Sequence, residues 1–107
     1  MFNIILHDAV RGELADLPPV MKAKMLRLID KLKTRATALR EPDSKPLGGG
    51  IFELRTMGTD IGRGLYAYQK GRTIFLLRVF IKKTPKTPPG EIALALERLE
   101  KLLNEQS

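Results

Sequence analysis

The chain predicts a single α+β domain in the order β-α-α-β-β-β-α, with helices packed against an antiparallel sheet. Three observations carry this. Strand-like runs over residues 51–57, 62–69 and 73–82 follow one another across short glycine-containing gaps, amphipathic helical stripes flank them, and residues 1–107 suffice for one core.

The elements follow in order. Phe2, Asn3, Ile4, Ile5 and Leu6 form a short apolar, partly β-branched run that reads as a strand. Residues 9–17 carry apolar positions at helical spacing, interrupted by Gly12, and predict one short helix. Pro18 and Pro19 then open a second helix, because proline is tolerated in a first turn. Met21, Met25, Leu28, Ile29 and Leu32 recur there in steps of three and four, with Lys22, Lys24, Arg27, Lys31 and Lys33 mostly between them. Its basic side reads either as a solvated face or as a contact for RNA or a partner protein.

Residues 40–50 hold two prolines and the triplet Gly48, Gly49, Gly50, and are expected to be loop. No Gly-Lys-Ser/Thr follows the glycines, so the phosphate-cradling loop of nucleotide-binding enzymes is excluded. Of the three strand runs, 73–82 is almost continuously apolar and is expected inside the sheet, buried on both faces. In the first of them, alternation sends Phe52 and Leu54 to the core and Ile51, Glu53 and Arg55 to the other face. Pro88, Pro89, Gly90 and Glu91 lead into a last helix with the stripe Ile92, Ala95, Leu96, Leu99 and Leu103.

Composition narrows the chemistry. No cysteine is present, which rules out disulfides, thiolate metal sites and cysteine nucleophiles. No apolar run is long enough to span a bilayer, and the start lacks the features of a signal peptide, so a soluble cytoplasmic protein without membrane contacts is expected. The net charge is +7, and it is concentrated. Between Asp60 and Glu91 there is no acidic residue, while Arg63, Lys70, Arg72, Arg78, Lys82, Lys83 and Lys86 are all basic. Such a field attracts polyanions, above all nucleic-acid phosphates, although an acidic protein face is the alternative.

The one histidine, His7, stands far in sequence from the basic stretch and reads as structural. A pair of catalytic histidines and a histidine-rich zinc site are excluded, and no carboxylate cluster matches a two-metal nuclease, so no metal or cofactor is expected. Metal-free RNA cleavage needs a base for the 2'-hydroxyl, cations for the phosphorane and an acid for the leaving 5'-oxygen. Arg55 and Arg63, facing each other across a hairpin, are candidate phosphate holders, and Glu53 is the nearest candidate base. Lys82 and Lys83 are candidates for RNA contact or proton transfer. Arg78, Lys86, Lys70 and Arg72 complete the expected RNA-binding set. The segment 82–89 reads equally as a basic RNA contact and as a charged strand terminator. Tyr66 and Tyr68 alternate away from Arg63 and are assigned to the core rather than to base stacking.

The succession Gly50-Ile51-Phe52-Glu53-Leu54-Arg55, Gly62-Arg63-Gly64-Leu65-Tyr66, Leu77-Arg78-Val79-Phe80-Ile81-Lys82-Lys83-Thr84-Pro85-Lys86-Thr87-Pro88 and Glu91-Ile92-Ala93-Leu94-Ala95 resembles the RelE/ParE toxin superfamily. It is most similar to the phage-derived Gp49-like, HigB-type branch. The resemblance implies a single toxin domain of RelE-like fold with a twisted antiparallel sheet. It also implies a cognate helix-turn-helix antitoxin of the HigA type, and mRNA in the ribosomal A site as target. Arg55, Arg63, Lys82 and Lys83 fall on the family's basic positions. The chain departs from RelE itself in carrying Ile51 and Glu53 where RelE has lysines, and in lacking a tyrosine after Lys83.

Two further readings share the fold: a ParE-like, non-enzymatic inhibitor of DNA gyrase, and an inactive RNA-binding relic. Loss of toxicity in Arg63→Ala with little loss of folding is the outcome expected of the nuclease.

Overall fold

The computed structural model describes residues 1–58, 60–82 and 85–105. Strand β1 (Asn3–Leu6) leads through helix α1 (Val10–Ala15), helix α2 (Pro19–Arg35) and a 3-10 turn (Ala36–Ala38) into β2 (Ser44–Gly48). Strands β3 (Ile51–Arg55), β4 (Ile61–Gln69) and β5 (Thr73–Lys82) follow, then helix α3 (Pro89–Glu105). The five strands form one sheet in the order β1-β5-β4-β3-β2.

Two features of the sheet correct the sequence expectation. It is mixed rather than antiparallel, because β1 pairs in parallel with β5, setting Ile4, Ile5 and Leu6 beside Ile74, Phe75 and Leu76. A parallel pair needs a long crossover, and everything from α1 to β4 supplies it. Second, residues 44–48 are strand rather than loop. β2 is the sheet edge, where Pro46 needs no partner for a missing N–H. The glycine triplet makes the turn back into β3, with φ of +93°, +64° and +84°, conformations that side-chain-bearing residues rarely adopt.

The sheet is covered on both faces. Leu14, Met21, Met25, Leu28 and Leu32 of α1 and α2 pack on Leu54, Tyr66, Ile74, Leu76 and Val79. Ala95 and Leu102 of α3 pack on Ile51, Leu65, Ala67, Phe75, Leu77 and Phe80. Burial of β3 is therefore two-sided: besides Leu54, Ile51 and Glu53 are each 1% exposed, a correction to the expectation that only Phe52 and Leu54 face a core. Helix α3 is also rotated from its predicted stripe. It buries Ala95 and Leu102 and leaves Leu96 and Leu103 at the surface, since Arg98 and Glu91 on its inner side reach across to Glu13 and Arg78.

The register of β4 on β5 shifts between Leu65 and Tyr66, which pair with Arg78 and Leu76 and leave Leu77 as a bulge. Leu77 belongs to the α3-side core and Val79 to the α2-side core, so the bulge turns Arg78 toward α3, where its guanidinium meets Glu91. If alternation continued unbroken after Leu77, Arg78 would point into the apolar layer under α2.

Candidate functional site

Glycine at positions 62 and 64 brings α2 close to β4. A Cβ at Gly62 would lie 2.9 Å from Met21 Cγ and Sδ, and one at Gly64 would lie 3.4 Å from Met25 Sδ. The helix therefore presses directly on the backbone on either side of Arg63, while the Arg63 side chain emerges on the opposite face.

There it is sealed. Arg63 is 0% exposed, with Nη1 donating to Thr87 Oγ1 at 3.0 Å and Nη2 to the Pro85 carbonyl at 3.0 Å. Nη1 also lies 3.5 Å from Glu53 Oε2, and the Thr87 hydroxyl donates to that same oxygen. Glu53 reaches in the other direction as well, with Oε1 3.5 Å from Arg55 Nε. The predicted register holds, since Arg55 and Arg63 are directly opposed across the β3–β4 ladder. The two arginines differ in access: the Arg55 side chain is 24% exposed, whereas that of Arg63 is enclosed.

Of this cluster, Glu53, Thr87 and Pro85 line an open cleft of about 510 Å³ between β2 and the start of α3, together with Lys45, Lys86, Pro46 and Ile92. Lys45 and Lys86 are exposed. Arg55 borders a separate, smaller depression with Lys24, Arg27 and Lys31 of α2 and with Asp43, which pairs with Lys31 at 3.3 Å. Lys82 ends β5, half-buried, opposite Ile61.

Glu53, Arg55 and Arg63 are thus brought together, with Lys86 at the rim and Lys82 at the same end of the sheet. Lys83 lies outside the described residues. Lys70 and Arg72 occupy the β4–β5 turn, the opposite end of the hairpin from Arg63 and Lys82. Arg72 stacks its guanidinium over the Phe2 ring at 4.5 Å. Arg78 is held by Glu13 and Glu91, each at 2.8 Å, and its acidity is weakened first by the Glu91 hydrogen bond. His7 accepts the Ala9 N–H through Nδ1 at 3.1 Å at the start of α1, in keeping with a structural role.

Sequence reasoning missed Thr87, Lys45 and the carboxylate Glu13. A threonine in a proline-rich segment gives no sign that it bridges Arg63 and Glu53, because that contact depends on where the chain returns from β5 to α3. Burial also changes what Arg63→Ala reports. Removing the enclosed guanidinium takes a cation from the buried Glu53 carboxylate and leaves a cavity in its place, so folding itself is affected.

Chemically, Glu53 is a carboxylate with one oxygen fixed by Thr87 and Arg63 and the other directed toward Arg55. A half-exposed guanidinium next to a cleft with lysine at its rim is suited to a phosphodiester.

The comparisons with known proteins agree on the fold. The chain aligns with a chain of the toxin-antitoxin complex RelBE2 of Mycobacterium tuberculosis at 26% identity, covering 76% of this chain and 98% of that one, with a TM-score of 0.57. It aligns with a chain of the archaeal RelE-RelB complex of Pyrococcus horikoshii OT3 at 21% identity, covering 80% and 98%, with a TM-score of 0.58. No curated protein sequence matches. The α+β architecture is thus the RelE-like fold. The model of the family described as phage derived protein Gp49-like (DUF891) matches residues 12–100, and the chain belongs to that family.

Proposed function

We propose that this chain is the toxin of a toxin-antitoxin pair and that it cuts messenger RNA on the ribosome. The observation that carries the reading is Glu53, which lines a cleft together with Lys45 and Lys86 and lies 3.5 Å from the Nε of partly exposed Arg55. Membership of the Gp49-like family and likeness to chains of two toxin-antitoxin complexes support the toxin role.

In this reading Arg55 and the rim lysines hold the scissile phosphate. Glu53 takes the 2'-hydroxyl proton as the 2'-oxygen attacks phosphorus, the P–O5' bond breaks, and a lysine of the 82–86 segment protonates the leaving oxygen. Arg63 and Thr87 position Glu53. The partner is a helix-turn-helix antitoxin of the HigA type that covers the basic cleft, and action on translating ribosomes places the protein in the cytoplasm.

The burial of Arg63 and Glu53 favours a second reading, a protein-binding toxin of the ParE kind acting on DNA gyrase. Primer extension on cellular mRNA after brief induction separates the two. Codon-phased cuts with wild type and none with Arg55→Ala support the nuclease. Growth arrest without cuts, together with inhibited supercoiling by gyrase, supports the other.

A further inference from the structure

A second cleft, of about 570 Å³, opens on the other side of β2, between the 3-10 turn and the β2–β3–β4 end of the sheet. Its walls are aromatic. Phe52 and Tyr68, both half-buried, meet at 83° with ring centroids 5.2 Å apart, forming a right-angled corner. Tyr66 lies beneath, stacked on Phe52 at 5.5 Å, and its hydroxyl is 2.6 Å from Ser44 Oγ. The Tyr68 ring meets that of Tyr66 edge-on, with centroids 5.9 Å apart. A phenol hydroxyl can both donate to and accept from an occupant.

At the mouth, the exposed Arg40 is held by Nη1 bonds to the carbonyls of Thr37 and Leu39, at 2.8 and 2.9 Å. Glu41, also at the mouth, offers an acceptor suited to an amino group. An apolar corner for a ring face, hydroxyls for a ring edge and a guanidinium at the entrance describe a site for a planar heteroaromatic ring attached to a phosphate.

The two clefts approach each other at the sheet edge. Pro46 lines both, and Phe52 and Glu53, neighbours on β3, face one cleft each. Exposed Lys45, next to Pro46 on β2, lines the cleft that holds Glu53. We propose that the Phe52–Tyr68 corner binds a nucleobase, and that in the working protein this is a base of an RNA strand that passes over β2 from the cleft at Glu53. The net charge of +7 favours an RNA strand over an aromatic side chain of a partner protein. The RNA part rests on the function proposed above, whereas nucleobase recognition does not.

The chain's two tyrosines both line this cleft and it has no tryptophan, so intrinsic tyrosine emission reports on this cleft alone. The full chain is titrated with a short single-stranded oligoribonucleotide, with the four nucleoside monophosphates, and with ribose 5-phosphate. Binding of the labelled oligonucleotide is followed in parallel by anisotropy. Expected is quenching by bases and not by ribose phosphate, with Tyr68→Leu and, as a surface variant that spares the core, Arg40→Ala each weakening the oligonucleotide about ten-fold.

If the oligonucleotide binds while emission and both variants' affinities stay unchanged, the cleft proposal falls and the RNA reading stands. If monophosphates quench but the oligonucleotide does not bind, the nucleobase site stands, its ligand is a free nucleotide, and the RNA reading falls. Equal quenching by N-acetylphenylalaninamide overturns the proposal in favour of a protein side chain.

Discussion

Arg78 Nη1 and Glu13 Oε2 lie 2.8 Å apart although 65 residues separate them in the chain. Glu13 also accepts the Val79 N–H at 3.0 Å and an Arg98 bond at 2.8 Å, while Arg98 reaches the carbonyl of Leu77 in the bulge. One carboxylate of α1 therefore ties together β5 and α3, the two elements that carry the chain into and out of the Pro85–Thr87 segment over Arg63. Glu13→Ala leaves the Val79 N–H without its acceptor and takes one acceptor each from Arg78 and Arg98, and a loss of roughly 3 kcal/mol in urea unfolding is expected. A loss below about 1 kcal/mol would show that the cluster is screened like a surface pair.

Arg55 and Arg63 should separate folding from function. Arg63→Ala is expected to lower stability by about 3–5 kcal/mol, because it uncovers a carboxylate that is 1% exposed. Arg55→Ala, at a half-exposed position, should melt close to wild type yet lose mRNA cleavage. Thermal unfolding alongside primer extension checks both; an Arg55→Ala protein that still cuts would remove this residue from the site.

Two glycines give opposite predictions. Gly62→Val forces branched carbons into Met21, already 2.9 Å from a Cβ there, and should cost about 1–3 kcal/mol or more. Gly12 lies inside α1 with open space around it, so Gly12→Ala should stabilise by about 0.5–1 kcal/mol. Denaturant midpoints of the two variants on either side of wild type are the expected result.

Stability should fall at both ends of the pH scale. Burial first, then Arg98 and Lys101, lowers the pKa of His7 below 6.5, so the unfolded chain takes up a proton that the folded one refuses. Stability is then lost as pH drops below the unfolded value toward the folded one. His7→Asn should flatten that acid slope. Burial also pushes the Tyr66 phenol up to about 12, so between the ordinary value of 10.0 and that value the folded state keeps a proton the unfolded state has released. Stability therefore falls as pH rises through this interval, and the tyrosinate absorbance of native protein should appear in step with unfolding.

The sequence by itself determined the elements whose signal is local. The apolar run 73–82 coincides with β5, the stripe Met21, Met25, Leu28 and Leu32 is the buried side of α2, and the hairpin register does set Arg55 against Arg63. Family membership was legible in the same way, because its motifs are contiguous. Tertiary structure alone decided that β1 lies parallel to β5, that Pro46 and its neighbours form an edge strand, and that a bulge turns Arg78 toward α3. It also decided that Arg63 is enclosed by Thr87 and Pro85 while Arg55 stays accessible. The division has a physical cause. Backbone periodicity and turn chemistry act over a few residues and can be read along the chain, whereas burial and ion pairing depend on which distant segment closes over a side chain, and that is settled only when both sheet faces pack.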